Sequence, residues 1–376
     1  MSIFSYRMTM LLLFVKFSFA LEGTFFESHG ANLSENENFH YLVIPGITGK
    51  GGEHIVDSKI INPFSEDHVK RISTPTEPWP FNFSSTADFG QKGCQEPLIT
   101  AIKDHFKNYP KTKINIHASS QGTATTLNTL ARLAEEDKGK NESDKIIPKI
   151  GAIILESAMI SGNSAIYHTV TNTFRFGFIP YGKIIGALPY SRMLISNLSK
   201  STFPNYSPNG LQTIDILSKI PTSIPIIIIH SKKDLILPYD GAIGIYKKLK
   251  DLGNENVYLL SSDRKLHIDL LINIVQKSEI GDPYLIINNE VDRNIYYINE
   301  IFKKHNLPYH PKILETKNPL LQNLSLKDVQ PDFTMDHYEK YERLESQIRQ
   351  IQPYINASLS NLIPLAMFFF AKIFYG

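Results

Sequence analysis

A serine stands at the junction of two predicted elements, within the pentapeptide Ala-Ser-Ser-Gln-Gly at 118–122. The preceding run 113–117 is strand-like and the following run 123–133 is helix-like. A sharp turn from strand to helix lifts a serine Oγ off the end of the sheet, where it can attack an acyl carbon. Ser120 is therefore a candidate catalytic nucleophile.

The flanking residues select Ser120 over its neighbour Ser119. Such a turn is strained, and it needs small residues two positions before and two positions after the nucleophile. Ala118 and Gly122 satisfy this requirement for Ser120, whereas Ser119 would have a histidine and a glutamine at these positions. The alternative is that one of the two serines only caps the following helix.

A glycine-containing turn follows an apolar strand upstream of the serine. The run 41–44 is predicted to be a buried strand, and 45–49 reads Pro-Gly-Ile-Thr-Gly. A turn at the end of a strand can aim backbone N–H groups at the oxyanion that forms in acyl transfer. We expect the N–H groups of Gln121 and Ile47 to bind this oxyanion, and the alternative is a turn that only reverses the chain.

A carboxylate follows the apolar run 225–229, which is typical of a parallel strand buried on both faces. Asp234 comes a few residues later, at the edge where open α/β sheets keep their active sites. Its expected task is to orient a histidine and to stabilise the imidazolium. The alternative is a loop aspartate that caps the helix from Tyr239 onward, for which Asp240 is the better candidate.

His267 follows the predicted strand 256–260 and a polar loop, immediately before a helical run. It is the only histidine between His230 and His305, so it is the candidate general base on this stretch. His230 lies at the end of a strand before the aspartate, and we predict a structural role for it. His117 lies in the strand before the serine and is predicted to be buried and hydrogen-bonded.

The serine, the aspartate and the histidine occur in this order, each after a predicted strand, and the sequence resembles the α/β-hydrolase fold family from about Tyr41 to Val275. The resemblance implies a mostly parallel central sheet flanked by helices. It implies that Ser120 is the nucleophile, that Asp234 is the acid and that His267 is the base.

Other positions of the family's pattern are matched less closely. Gly46 and Ile47 match the oxyanion loop, but Pro45 stands where a histidine often opens that turn, and Ala118 replaces the usual first glycine. The residues 156–158, Glu-Ser-Ala, are similar to those of uncharacterised bacterial members. These features bear on the subfamily and imply no particular substrate.

The expected domain organisation has three parts. Residues 1–20 read as a signal peptide, 21–280 as the α/β-hydrolase domain, and 281–376 as a mostly helical C-terminal extension. About 65 residues separate the predicted strands 150–155 and 225–229, which is more than the connection in a compact α/β unit needs. The resemblance implies that such an insertion, here about 160–210, forms a helical cap. Its aromatic residues either line an apolar pocket, which favours a small-molecule or lipid-like acyl substrate, or fill the cap's own core.

The signal-peptide prediction depends on an apolar N-terminal run. Arg7 precedes the run 8–19, and small residues occur at Ser18 and Ala20, where a signal peptidase reads them. Lys16 interrupts the run, and an uncleaved anchor or an ordinary helix is the alternative. A signal peptide would place the protein outside the cytoplasm, secreted or periplasmic.

Composition excludes several classes of function. The net charge of the 376-residue chain is only +2, and no basic stripe is present, so we expect no nucleic-acid partner. The single cysteine, Cys94, excludes an intrachain disulfide and a cysteine-based zinc site, and no His-Glu-x-x-His pattern occurs. We expect neither a metal nor a cofactor.

The C-terminal part contains a strand-like run at 284–288, a charged helical run at 338–349 and an apolar segment at 362–375. The apolar segment is short for a membrane span. It could pack on the domain, lie in an interface or make peripheral contact with a membrane.

These observations predict a serine hydrolase that cleaves a carboxylic ester. The same three residues would also serve a serine peptidase or an acyltransferase, because they fix neither the leaving group nor the acceptor. A catalytically inactive hydrolase fold that only binds a ligand is the alternative from another class.

Overall fold

The computed structural model describes the core of the chain and parts of its C-terminal region. The described residues are 39–44, 46, 69–71, 88–168, 205–263, 267, 270, 289–309, 314–315, 321, 324–329, 338–347 and 349–350. Several predicted features lie outside them: the N-terminal signal segment, Ile47, most of the cap, the strand at 284–288 and the apolar segment at 362–375.

The described strands form one six-stranded parallel sheet in the order β2-β1-β3-β4-β5-β6. The strands are β1 (Phe39–Ile44), β2 (Val69–Arg71), β3 (Lys113–Ser119), β4 (Ile150–Glu156), β5 (Ile226–Ser231) and β6 (Val257–Ser262). The chain runs outward from β1 to β2 and then returns to place β3 on the other side of β1. The strand order therefore reverses between β1 and β3, and open α/β sheets bind their ligands at the carboxyl ends of the strands at such a point.

The apolar runs of the sequence explain the central strands. The side chains of residues 226–229, all isoleucine, have no exposed surface, and β3 and β4 are almost as fully buried. Strands covered on both faces need apolar residues at consecutive positions, since neither face meets water. The predicted strands in these regions are confirmed, and most of them extend one or two residues beyond the predicted ends.

Helices cover both faces of the sheet. They are α1 (Lys92–Asn108), α2 (Gln121–Asp137), α3 (Thr213–Ile216), α4 (Tyr239–Asp251) and α5 (Asn289–Lys304). One buried apolar cluster joins α1, α2 and α4 to one face, and a second joins α5 to the other face. This arrangement is a three-layer α/β architecture with a parallel sheet in the middle.

The segment that the sequence places after the hydrolase domain contributes to this core. In α5, Ile298 and Ile301 have no exposed surface, and they belong to the same buried cluster as Tyr41 of β1 and Tyr258 of β6. Residues 338–347 are also helical, and Tyr341 lies in the cluster on the other face. No helix among the described residues is long and apolar enough to cross a bilayer.

Candidate active site

Ser120 occupies the turn between β3 and α2. Its backbone has φ +53° and ψ −122°, a left-handed conformation that is rare for residues other than glycine. Its N–H donates a 2.9 Å hydrogen bond to the carbonyl oxygen of Glu156, at the end of β4. Ser120 is the N-cap residue of α2, but its side chain makes no capping hydrogen bond. The Oγ is thus not used for capping.

His267 connects the serine to the aspartate. Its Nε2 lies 2.8 Å from Ser120 Oγ, and its Nδ1 lies 2.8 Å from Asp234 Oδ2. An ionised carboxylate only accepts hydrogen bonds, so Nδ1 carries the proton and Nε2 is the acceptor that faces the serine hydroxyl. The three predicted site residues are therefore brought together in one hydrogen-bonded chain.

Asp234 is held on both of its carboxylate oxygens. Oδ1 accepts hydrogen bonds from the backbone N–H groups of Ile236 at 2.8 Å and Leu237 at 3.0 Å, and Oδ2 faces His267. Burial raises the pKa of this carboxyl, but the charge of His267 and hydrogen bonds from His230 and His267 outweigh that effect and hold the pKa well below its usual range. Asp234 is therefore ionised, as an orienting carboxylate must be.

One alternative at this position is wrong. Asp234 is buried and is not a solvated cap, and Asp240 does not cap the helix either. The N-cap of α4 is Pro238, which places Asp240 within the first turn, where its Oδ2 lies 2.8 Å from Lys340 Nζ instead.

Two further histidines surround the aspartate. The buried His230 has Nε2 at 3.4 Å from Asp234 Oδ2 and at 3.2 Å from the carbonyl oxygen of Leu237. His168, within the predicted cap, has Nε2 at 3.2 Å from the carbonyl oxygen of Asp234. Burial lowers the pKa of His168. The sequence indicated the structural role of His230, but gave no sign that His168 approaches the aspartate.

Gly46, two residues after the end of β1, lies close to Ser120. A Cβ added to Gly46 would lie 3.1 Å from Ser120 Cβ and 3.6 Å from Ser120 Oγ. Only a glycine allows the backbone to come this close without a shift. The prediction for the neighbouring Ile47 falls outside the described residues.

Gln121 is the first residue of α2, so its N–H has no partner within the helix. Backbone N–H groups at a helix N-terminus attract negative charge. The side chain of Gln121 turns away towards α1, where its Nε2 donates to Cys94 Sγ at 3.1 Å. The backbone of Gln121, and not its side chain, is the part suited to an oxyanion.

Glu156 and Ser157, which sequence analysis did not assign to the site, lie beside His267. Glu156 Oε1 accepts a hydrogen bond of 2.5 Å from the N–H of Leu270, and Ser157 Oγ donates to the carbonyl oxygen of His267. His117 is buried as predicted, with Nε2 3.3 Å from Glu156 Oε2. A charged residue directly at the end of an apolar strand is the signal that could have identified Glu156.

The described residues contain no group of histidine, cysteine and carboxylate side chains arranged to hold a metal ion. The Ser120 hydroxyl lies next to an imidazole nitrogen, and a buried carboxylate orients that imidazole; this arrangement suits attack on an acyl carbon.

No family model and no curated protein matches the chain. Among solved structures, an esterase of Pyrococcus furiosus is 15% identical over 61% of this chain and 75% of its own, with a TM-score of 0.39. An acylaminoacyl peptidase of Pyrococcus horikoshii is 15% identical over 79% of this chain and 40% of its own, with a TM-score of 0.43. A lipase-esterase related protein of Clostridium acetobutylicum is 14% identical over 62% of this chain and 89% of its own, with a TM-score of 0.36.

Identities and TM-scores of this size leave the assignment of the fold to the geometry of the chain itself. A strained serine follows the third strand of a parallel sheet, an aspartate follows the fifth, and a histidine follows the sixth and joins the two. Several folds carry a serine, an acid and a histidine that act together. Only the α/β-hydrolase fold combines a nucleophile on a strand-to-helix turn with the chain order nucleophile, acid, base. The chain has the α/β-hydrolase fold.

Proposed function

We propose that this protein is a serine hydrolase that cleaves a carboxylic ester through an acyl-enzyme intermediate. The observation that carries the proposal is the position of His267, whose two ring nitrogens each lie 2.8 Å from an oxygen, one of Ser120 and one of Asp234. A serine is a weak nucleophile until a base removes its proton, and this geometry supplies the base in the required tautomer.

In the first step Ser120 Oγ attacks the carbonyl carbon of the ester while His267 Nε2 takes the hydroxyl proton. The imidazolium that forms is stabilised by the negative charge of Asp234. When the tetrahedral intermediate collapses, the C–O bond to the alcohol breaks and His267 returns the proton to the leaving oxygen.

The negative oxygen of the tetrahedral intermediate needs hydrogen-bond donors. The N–H of Gln121 is one proposed donor, since it is the first of α2 and follows the nucleophile directly. The second proposed donor is the N–H of Ile47, next to the glycine that contacts Ser120. Donors of this kind are worth about 10²- to 10³-fold each in turnover.

Hydrolysis is completed by water. His267 Nε2 takes a proton from the water as it attacks the acyl carbon, and then returns that proton to Ser120 Oγ as the acid product leaves. An ester is the favoured substrate class because its C–O bond has less resonance stabilisation than the C–N bond of an amide, so attack and cleavage meet a lower barrier.

The test is labelling with a fluorescent fluorophosphonate, which reacts with activated serines. We expect the purified wild type to be labelled, the Ser120→Ala variant to be unlabelled, and a variant at the exposed Ser143, Ser143→Ala, to be labelled like the wild type. An unlabelled wild type, or a labelled Ser120→Ala variant, would overturn the proposal.

The substrate class needs a separate measurement. Hydrolysis of p-nitrophenyl acetate and of p-nitroacetanilide compares an ester with the amide that has the same acyl group. We expect turnover of the ester to exceed turnover of the amide. Faster cleavage of the amide would instead indicate a peptidase on the same residues.

A further inference from the structure

We propose that Glu156, together with Ser157, positions His267 against Ser120. The inference rests on the proposed function, and it concerns two residues that touch neither the substrate nor the reacting atoms. Glu156 is the last residue of β4 and Ser157 follows it. In the sheet, β4 lies between the strand that ends at the nucleophile and the strand that precedes the aspartate.

Glu156 is bonded to the nucleophile turn. Its backbone carbonyl accepts the hydrogen bond from Ser120 N–H at 2.9 Å, and its carboxylate Oε2 accepts one from Ser119 Oγ at 3.3 Å. Any displacement of Glu156 therefore displaces the backbone that carries the serine.

The same two residues are bonded to the chain around the histidine. Glu156 Oε1 accepts the 2.5 Å hydrogen bond from the fully buried Leu270, and Ser157 Oγ donates to the carbonyl of His267 itself. The first bond spans 114 positions of the sequence. These contacts fix the backbone of the base relative to the backbone of the nucleophile, independently of the imidazole's own hydrogen bonds.

The backbone of Ser157 is itself held in place. Ser157 N–H donates to the carbonyl of Ile229 on β5 at 2.8 Å, and its φ of +54° is a strained value for a serine. Strain of this kind persists where the surrounding structure fixes it, and it is concentrated at functional sites. Here the strained residue, Ser157, is also the one whose hydroxyl donates to the carbonyl oxygen of His267.

The Glu156 carboxylate is buried, and several hydrogen-bond donors surround it. Burial raises the pKa of its carboxyl, but the hydrogen bond and charge of His117 and the hydrogen bonds from Leu270 and Ser119 outweigh this effect, so the net pKa lies below its ordinary value. The residue is thus a carboxylate, and hydrogen bonds to an ionised acceptor are about twice as strong as neutral ones. A neutral side chain would hold the Leu270 N–H less firmly.

The test compares Glu156 with a matched buried carboxylate. Asp137, at the end of α2, accepts hydrogen bonds from the N–H groups of Ile146 at 2.7 Å and Ile147 at 2.8 Å, and it has no contact with the three site residues. Both Glu156→Ala and Asp137→Ala remove a buried acceptor, so both should lose stability. Only the change at Glu156 should misplace the base.

We expect Glu156→Ala to lower kcat for p-nitrophenyl acetate by about 10²-fold, which is the scale of a misplacement near 1 Å, and to change KM little. Glu156→Gln keeps one acceptor oxygen for Leu270 and should show an intermediate kcat. Asp137→Ala should keep the wild-type kcat per folded molecule. Equal kcat values for the Glu156→Ala and Asp137→Ala variants would overturn the inference.

A second readout does not depend on catalysis. The Leu270 amide should be protected from hydrogen exchange in the wild type and should lose that protection in Glu156→Ala, but not in Asp137→Ala. Equal exchange at Leu270 in the wild type and Glu156→Ala would contradict the positioning contact. If Glu156→Ala does not fold, Ser157→Ala removes one hydroxyl only, and a kcat unchanged from the wild type would count against the inference.

A wild type that hydrolyses the ester while Glu156→Ala retains full kcat refutes only the positioning role. A wild type that is not labelled by the fluorophosphonate refutes the proposed function itself. The two failures are therefore distinguishable.

Discussion

Asp234 determines which nitrogen of His267 carries a proton. Its Oδ2 faces Nδ1 at 2.8 Å, and its Oδ1 is fixed by the two backbone N–H groups of Ile236 and Leu237. The carboxylate cannot rotate without breaking these bonds. The proton is thereby kept on Nδ1, and Nε2 remains free to accept the proton of Ser120.

Gly46 lies so close to Ser120 that a side chain at position 46 would crowd the serine. We predict that Gly46→Ala slows fluorophosphonate labelling of Ser120 by about tenfold or more, because the new methyl group would lie 3.1 Å from Ser120 Cβ and must displace it. Such crowding costs about 1–3 kcal/mol of stability, so the variant should still fold.

The matched control for this prediction is Gly244→Ala in α4. Its added Cβ would also lie 3.1 Å from a neighbour, but that neighbour is Ile160 Cδ1, the mobile end of a side chain. Labelling rate should be unchanged in this variant. A Gly46→Ala protein that is labelled as fast as the wild type would show that Gly46 does not constrain the nucleophile.

At the scale of elements, the strands and the nucleophile turn were predictable because their signals are local. Apolar runs mark β4 and β5, and small residues around one serine mark the turn. The segment 211–219, which leads to β5, is only partly helical. The helix begins at Thr213, after a capping box of Gln212 and Asp215, and it tightens to a 3₁₀ turn at Leu217–Lys219 just before Pro221.

Contacts between residues that are far apart in the sequence could not be predicted, because they leave no local pattern in the sequence. The bond from Leu270 to Glu156 spans 114 positions, and the bond from Asn163 to Glu345 spans 182. One sequence does not reveal such pairs, because neither spacing nor composition near one residue depends on the other. The three candidate site residues could be found only because each follows a recognisable strand.

The helix α5 is an element that the sequence placed outside the domain but that packs on the sheet. We predict that Ile298→Ala lowers the free energy of unfolding by about 2–5 kcal/mol, because the isoleucine is fully buried and the vacated space cannot collapse completely. Urea unfolding of the wild type and the variant measures the change.

Leu252→Ala is the control, since it removes the same number of carbon atoms from a side chain that is 38% exposed. Its effect should stay within about 0.5 kcal/mol, as for most surface substitutions. Similar losses in the two variants would mean that α5 is not part of the cooperative core.

At the scale of the whole molecule, a buried polar cluster joins three remote parts of the chain. Asn163 lies shortly after β4, Tyr206 and Gln212 precede α3, and Glu345 belongs to the helical residues 338–347. Asn163 Nδ2 donates to Glu345 Oε2 at 2.7 Å, and Tyr206 OH donates to Asn163 Oδ1 at 2.7 Å. The C-terminal helix is thereby bonded to the start of the predicted cap.

Glu345 makes the stability of this polar cluster depend on pH. Burial raises the pKa of its carboxyl, and this effect outweighs the hydrogen bonds and the charge of Arg349 that lower it. A raised pKa means that the folded state binds the proton more tightly than the unfolded state does. The stabilising contribution of Glu345 is therefore present below the ordinary carboxyl pKa and is lost as the pH rises through the raised value.

We therefore predict that Glu345→Gln raises the melting temperature at pH 7, because glutamine keeps the acceptor oxygen for Asn163 and has no charge to bury. A gain of about 1 kcal/mol corresponds to roughly 2–4 °C in a protein of this class. The gain should vanish at pH 4, where the glutamate is protonated.

Thermal unfolding at both pH values measures this gain in melting temperature. The control is Glu339→Gln, at an exposed position on the same helix. A gain of the same size at pH 4 and pH 7, or a loss at pH 7, would show that ionised Glu345 is compensated and that the polar cluster does not respond to pH.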